Sequence, residues 1–253
     1  MDDFAVSSGA MSAVDLDRVS PTRRPEGKPA GTQRWTELLF LHWTYEPDAV
    51  RKLVPPELEL DLWDGQAYVG LVPFRMGAVR SSWMPRTVGL DFLETNVRTY
   101  VHHKGRPGVY FFSLEASSAL AVKVARVGWG LPYFHAEMEM KTDGDRVEYR
   151  SRRTEDPPAS LAASYLRGER LGPSEPGTLQ FFLLERYLLF STRGGRVHEG
   201  QVHHVPYPAE APRDVRVEES LLQAAGLPPH GAEPATAHWS RGVDVEVFGP
   251  YPV

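Results

Sequence analysis

Glu94-Thr-Asn-Val-Arg-Thr-Tyr100 alternates between two kinds of side chain. In an extended chain residues 94, 96, 98 and 100 project one way, and residues 95, 97, 99 and 101 the other. The first set is Glu, Asn, Arg and Tyr. The second is Thr, Val, Thr and Val, a packing face. Alternation alone allows the polar face either to be solvated or to line an enclosed interior. Tyr and Asn are costly choices for plain solubility, and Glu94 and Arg98 are near enough to pair inside a cavity.

The neighbouring sequence extends this β pattern. Residues 92–102 and 108–115 read as a strand pair, joined by the Gly- and Pro-containing turn His103-Lys-Gly-Arg-Pro-Gly108. Leu58-Glu-Leu-Asp-Leu62 alternates strictly, Trp63-Asp-Gly65 supplies a turn, and residues 66–74 return, which predicts a hairpin. Residues 134–140 and 146–152 form another around Asp143-Gly144. Residues 36–45, 196–204 and 238–248 read as further strands, and 159–165 as a strand or one helical turn. Short helices are expected over 47–54, 118–126, 179–191 and 217–226. Hairpins with a few short helices favour an α+β, mostly β domain or a barrel over a doubly wound sheet. Residues 1–33 read as a disordered leader, because Ser20-Pro-Thr-Arg-Arg-Pro-Glu-Gly-Lys-Pro-Ala-Gly31 cannot bury a face. That leaves residues 34–253 as a single domain.

Composition narrows the functional classes. A net charge of −5 gives no basic excess for nucleic acid. There is no apolar run long enough to span a membrane, and the acidic start Met1-Asp-Asp-Phe lacks a signal peptide's basic region. The absence of Cys excludes disulfides, thiolate nucleophiles and Cys-based zinc sites. Together these features favour the cytoplasm. The adjacent pairs His102-His103 and His203-His204 face opposite ways on a strand, so neither chelates a metal alone. With no phosphate-binding loop either, neither metal nor cofactor is expected.

Other chemistry-bearing residues follow the polar strand. Lys123, between Val122 and Val124, is a candidate for Schiff-base chemistry, or a lysine whose stem lies along an amphipathic helix. Arg126 shares its helix face, and two cations together suit an anion or a solvated surface. Trp129 and Tyr133 flank a forced turn and suit either a pocket wall or the core. Glu185-Arg-Tyr187 is read as structural salt bridging.

Several stretches together resemble the YqjF-like family, DUF2071, of the acetoacetate decarboxylase-like superfamily. They are Leu41-His-Trp43, Leu53-Val-Pro-Pro-Glu-Leu58, Trp63-Asp-Gly65, Gly70-Leu-Val-Pro-Phe74, Glu94-Thr-Asn-Val-Arg-Thr-Tyr-Val101, Gly108-Val-Tyr-Phe-Phe-Ser-Leu114, Gly130-Leu-Pro-Tyr133, Glu185-Arg-Tyr187 and Gly242-Val-Asp-Val245. The resemblance implies a conical, mostly antiparallel β-barrel with a central cavity. It also implies a Lys pair just before a Gly-aromatic step. Matching Val127-Gly-Trp129 to that step puts Ala125 and Arg126 where the pair belongs, with Lys123 two residues early.

The expectation is a barrel that binds a small anionic molecule, and an enzyme acting on a carboxylate- or carbonyl-bearing metabolite. Arg98 and Arg126 would hold the anion, Glu94 would act as acid or base, and Asn96 and Tyr100 would orient the ligand, with Trp129 and Tyr133 beside it. The alternatives are a Schiff-base lyase using Lys123, and a non-catalytic ligand sensor or structural interaction protein. Neither nucleic acid nor membrane is an expected partner. An exposed barrel edge is compatible with a homodimer.

Overall fold

β-Branched and aromatic residues between tight turns put most of the chain into strands. The computed structural model describes residues 16–85, 87–231 and 233–253. Its strands are β1 (Gly31–Tyr45), β2 (Glu59–Leu60), β3 (Ala67–Ser81), β4 (Leu90–His103), β5 (Arg106–Ala116), β6 (Tyr133–Asp143), β7 (Arg146–Arg153), β8 (Ser160–Arg170), β9 (Leu188–Arg193), β10 (Arg196–His203), β11 (Ala209–Glu219) and β12 (Thr236–Pro252). Four short helices join them: α1 (Pro47–Arg51), α2 (Ala119–Trp129), α3 (Leu179–Leu184) and α4 (Leu221–Ala224). No described helix is long and apolar enough to cross a membrane.

The twelve strands form one sheet in the order β10-β9-β5-β6-β7-β8-β11-β12-β1-β3-β4-β2, with further pairings β10–β12 and β4–β5. The sheet branches at β5. One edge pairs antiparallel with β4, while the other pairs parallel with β9 at Val109–Tyr110 and with β6 at Leu114–Ala116. Gly108 permits the β9 seam, since a Cβ there would sit 2.6 Å from the Leu188 carbonyl oxygen. A similar branch at β12 joins β1 on one edge and β10 and β11 on the other.

Residues 38–43 of β1 and 92–103 of β4 are buried on both faces. Leu39, Leu41, Trp43, Val97 and Val101 join Tyr149, Leu161 and Tyr165 in one apolar cluster. Leu38, Phe40, Val72, Phe74, Leu114, Tyr133, Tyr187 and Val243 form a second. The polar face of β4 borders this second cluster.

The structure departs from the sequence reading in several places. Residues 1–15 of the expected leader lie outside the described residues, but residues 16–33 are held against the sheet. Leu16 is buried, Arg18 pairs with Asp61, and Gln201 Nε2 donates to the carbonyls of Pro21 and Arg23. A segment that cannot bury a face of its own is ordered here by side chains reaching out from the body. The hairpin expected over 58–74 keeps its turn, with Trp63 and Gln66 bonded to each other across Asp64 and Gly65 at positive φ. Its first strand shrinks to two residues and pairs with β4 rather than β3. The helix expected over 179–191 stops at Leu184, because Glu185, Arg186 and Tyr187 are claimed by tertiary partners. Residues 217–219 extend β11, whose Val217 pairs with Ala163 of β8, so the helix there is only α4.

Candidate functional site

Glu94, Asn96, Arg98 and Tyr100 are 3%, 5%, 8% and 1% exposed, so this face of β4 is enclosed rather than solvated. Strand register decides what surrounds it. His42 of β1 lies opposite Gly70 of β3, and Gly70 lies opposite Arg98 of β4. A Cβ on Gly70 would meet the His42 ring at 3.2 Å and Arg98 Cγ at 3.5 Å. The missing side chain thus lets imidazole and guanidinium share the space over one strand.

Arg98 is a buried cation without a carboxylate partner among the described residues. Its Nη2 donates to the Leu183 carbonyl over 3.3 Å, and its Nε has no partner. Its guanidinium carbon stands 5.5 Å from the Phe40 ring centre and 6.0 Å from that of Tyr100. The Tyr100 hydroxyl lies 2.8 Å from both the Leu183 carbonyl and His42 Nε2. The Tyr207 ring lies 5.1 Å from that of Phe40 and 4.5 Å from the His204 ring.

The histidines here are neutral. Burial, then the charge of Arg98 and the nearby His238, hold His42 well below the ordinary imidazole range. Burial pushes His204 and His238 down to about 4. No group of His, Asp and Glu among the described residues is placed to hold a metal ion.

Glu94 forms a second polar centre two rows along β4. Its Oε2 accepts the Tyr133 hydroxyl at 2.8 Å. Burial raises its pKa to about 8; the hydrogen bond from Tyr133 opposes that rise and the nearby Glu115 adds to it. Glu94 therefore holds a proton at neutral pH. Glu115 itself is paired with the buried Arg153. Glu94 and Arg98 do not pair with each other, because Tyr133 takes the one and Leu183 the other.

The structure does not bring Lys123, Arg126 and Trp129 into this group. Lys123 is exposed on the outer face of α2, beside the exposed Leu120, Val124 and Val127. Only Val122 of that helix is buried, so its cations turn outward. Arg126 pairs with Glu155 and donates from Nε to the Tyr133 carbonyl at 2.6 Å, with its side chain 43% exposed. The anion site expected from Arg98 and Arg126 together is thus reduced to Arg98. Trp129 packs over Gly200, where a Cβ would come within 2.6 Å of its ring. Glu185 carries no salt bridge among the described residues: it accepts the Tyr187 hydroxyl at 2.8 Å and the Tyr207 amide at 3.1 Å. Arg186 does form one, with Asp61.

The residues that sequence reasoning did not place here are His42, His204, His238, Phe40 and Tyr207, His204 having been weighed only as a metal ligand. One signal was present: His42 interrupts the apolar run Leu38-Leu-Phe-Leu-His-Trp43, where a polar ring must be accounted for. Three surface grooves lie elsewhere, around Glu137 and Arg152, around Arg18 and Phe182, and around Arg167 and Arg241. None is lined by Glu94 or Arg98.

Residues 32–244 match the family DUF2071, described as an uncharacterized conserved protein. The uncharacterized protein YqjF of Bacillus subtilis (strain 168) is 36% identical over 223 residues, covering 87% of this chain and 91% of that protein. Among solved structures, the enduracididine biosynthesis enzyme MppR complexed with pyruvate superposes with a TM-score of 0.59 at 15% identity, covering 91% of this chain and 93% of that one. Acetoacetate decarboxylase from Legionella pneumophila superposes with a TM-score of 0.53 at 16% identity, covering 98% and 97%. At such identities the likeness is one of fold.

Proposed function

This chain belongs to the DUF2071 family, and we propose that its enclosed polar face binds a small carboxylate- or carbonyl-bearing molecule, with Arg98 holding the anionic group. The observation that carries this reading is a guanidinium more than nine-tenths buried with no carboxylate beside it among the described residues. An isolated buried charge is costly, and an incoming carboxylate removes that cost with paired hydrogen bonds. The pairing of β5 with both β4 and β6 supports a conical barrel closed around these groups. In this reading Glu94, kept protonated by burial, is the acid or base, and Tyr133 orients it. Asn96 and Tyr100 orient the ligand.

MppR is described as complexed with pyruvate, which makes pyruvate the first probe and acetoacetate the second. Calorimetric titration should show binding to the wild type. Arg98→Met should weaken it by about tenfold to a hundredfold, the worth of a charge-assisted hydrogen bond at about 1.5–3 kcal/mol. A variant that binds as tightly as the wild type, or a wild type that binds no carboxylate, removes the proposal. Turnover separates enzyme from sensor. Glu94→Gln should abolish product formation while keeping ligand binding within a few-fold.

A further inference from the structure

Around Arg98 several buried polar atoms have no hydrogen-bond partner among the described residues. The Tyr100 oxygen lies 2.8 Å from the Leu183 carbonyl, and two lone-pair oxygens so close need a proton between them. A carbonyl has none, so the hydroxyl proton of Tyr100 points at Leu183. The contact between Tyr100 and His42 Nε2, also 2.8 Å, then needs its proton from the imidazole. His42 is neutral and carries only that proton, so its Nδ1 is a bare acceptor, buried and without a partner. His204 is fixed in the opposite tautomer. Its Nδ1 lies 2.7 Å from the Val205 carbonyl, which can only accept, so the single proton sits on Nδ1. Its Nε2 is the bare acceptor and also has no partner.

Two imidazole acceptors therefore lie in the same buried interior as a cation without a carboxylate partner among the described residues. The His42 ring is bonded to Tyr100, and the His204 ring packs on Tyr207, which packs on the Phe40 ring that the Arg98 guanidinium faces. The Arg98 Nε–H and the Asn96 Oδ1 are unpartnered as well. A simple keto acid offers a carboxylate to the arginine but no hydrogen to the imidazoles. Buried acceptors left without a donor are costly, so the set of groups selects for a ligand that brings donors.

We propose that the natural ligand is a hydroxylated carboxylic acid, its carboxylate on Arg98 and its hydroxyl hydrogens given to His42 Nδ1 and His204 Nε2. This rests on the reading of Arg98 as the anion site and adds the substrate class. Asn96 Oδ1 is a third acceptor for a more heavily hydroxylated acid.

The test uses the full chain and three-carbon acids that differ only in hydroxyl count: propionate, lactate and glycerate. Calorimetry should show affinity rising in that order, on the order of tenfold or more from propionate to glycerate. His42→Phe and His204→Phe, each with its fold checked by circular dichroism, should bring glycerate close to propionate. The wild-type comparison stands without either variant. Equal binding of the three acids, lost in Arg98→Met, would overturn the hydroxy-acid proposal and leave the anion site intact. That result would mean the imidazole nitrogens are met by enclosed water. Binding of none of the acids would overturn both.

Discussion

Glu94 keeps its proton because its surroundings give it no cation. Burial moves its pKa from an ordinary 4.5 to about 8, and the Tyr133 hydroxyl does not reverse that. The linkage has a definite sign. Between those two values the folded chain holds a proton that the unfolded chain has released, so stability falls as pH rises through the interval. It is fully present below 4.5. Burial gives His42, His204 and His238 the opposite trend, with stability rising with pH up to the ordinary imidazole value of 6.5. The window from 6.5 to 8 is therefore the place to look for Glu94. Urea midpoints should fall across it in the wild type, and Glu94→Gln should flatten that decline by about 2 kcal/mol at the upper end. A variant that follows the wild-type curve would show that Glu94 is ionised throughout. That this residue shares one polar face with Asn96, Arg98 and Tyr100 was legible in the strand alternation. Its state was not, because the cause is the burial of β4 on both faces, with Glu115 nearby.

Elements were legible where local pattern and tertiary use agreed. β4 with β5 and β6 with β7 are hairpins whose turns carry Gly at positive φ, and along β7 alternation matches burial. α2 is also clear: the Ser118 side chain caps its N-terminus and Gly130 in the left-handed region ends it. Elements were lost where distant partners decide. β2 follows β4 instead of its own turn, and α3 ends where Arg186 turns to Asp61. Gly108 shows the limit most plainly. In sequence it is the last residue of a turn, but in the structure it is inside β5, at the parallel seam with β9. Gly108→Ala would push a methyl carbon to 2.6 Å from the Leu188 oxygen and 2.8 Å from the Phe190 ring. The strands must then part, at about 1–3 kcal/mol as for an overpacked core. Thermal unfolding should show a lower Tm for Gly108→Ala, whereas Gly105→Ala, in the open turn at positive φ, should cost only local strain. Equal stability of the Gly108 variant and the wild type would mean that the β5–β9 seam is loose.

At the scale of the molecule, the site is assembled from residues far apart in the chain: His42 on β1, Arg98 on β4, Leu183 on α3, and His204 and Tyr207 between β10 and β11. One strand of that group was readable from alternation. Its partners were not, since they depend on the register of β1 and β4 across β3 and on the branches at β5 and β12. The N-terminal segment extends the same lesson outward. Arg18 pairs with Asp61 and stands 5.5 Å from the centre of the Phe182 ring, while Asp61 also pairs with Arg186. The Arg186 guanidinium in turn lies 5.0 Å from the Tyr100 ring. A contact chain thus runs from the segment to the polar interior. Its outer link is the weakest, because Arg18 is partly solvated and Asp61 keeps Arg186 when it is lost. Arg18→Ala should therefore cost only about 1 kcal/mol, a Tm decrease of about 2–4 °C. It should still loosen the segment, which remains tied by Gln201 to Pro21 and Arg23 and by Arg24 to Glu246. Limited trypsin digestion reads this directly: cleavage after Arg23 should accelerate in Arg18→Ala while the rest of the chain stays resistant. Asp61→Asn removes the partner of both arginines and should cost several-fold more, since it leaves Arg186 buried without a counter-charge. If the two variants are cut and melt alike, the segment is held by its backbone contacts alone and Arg18 is not its anchor.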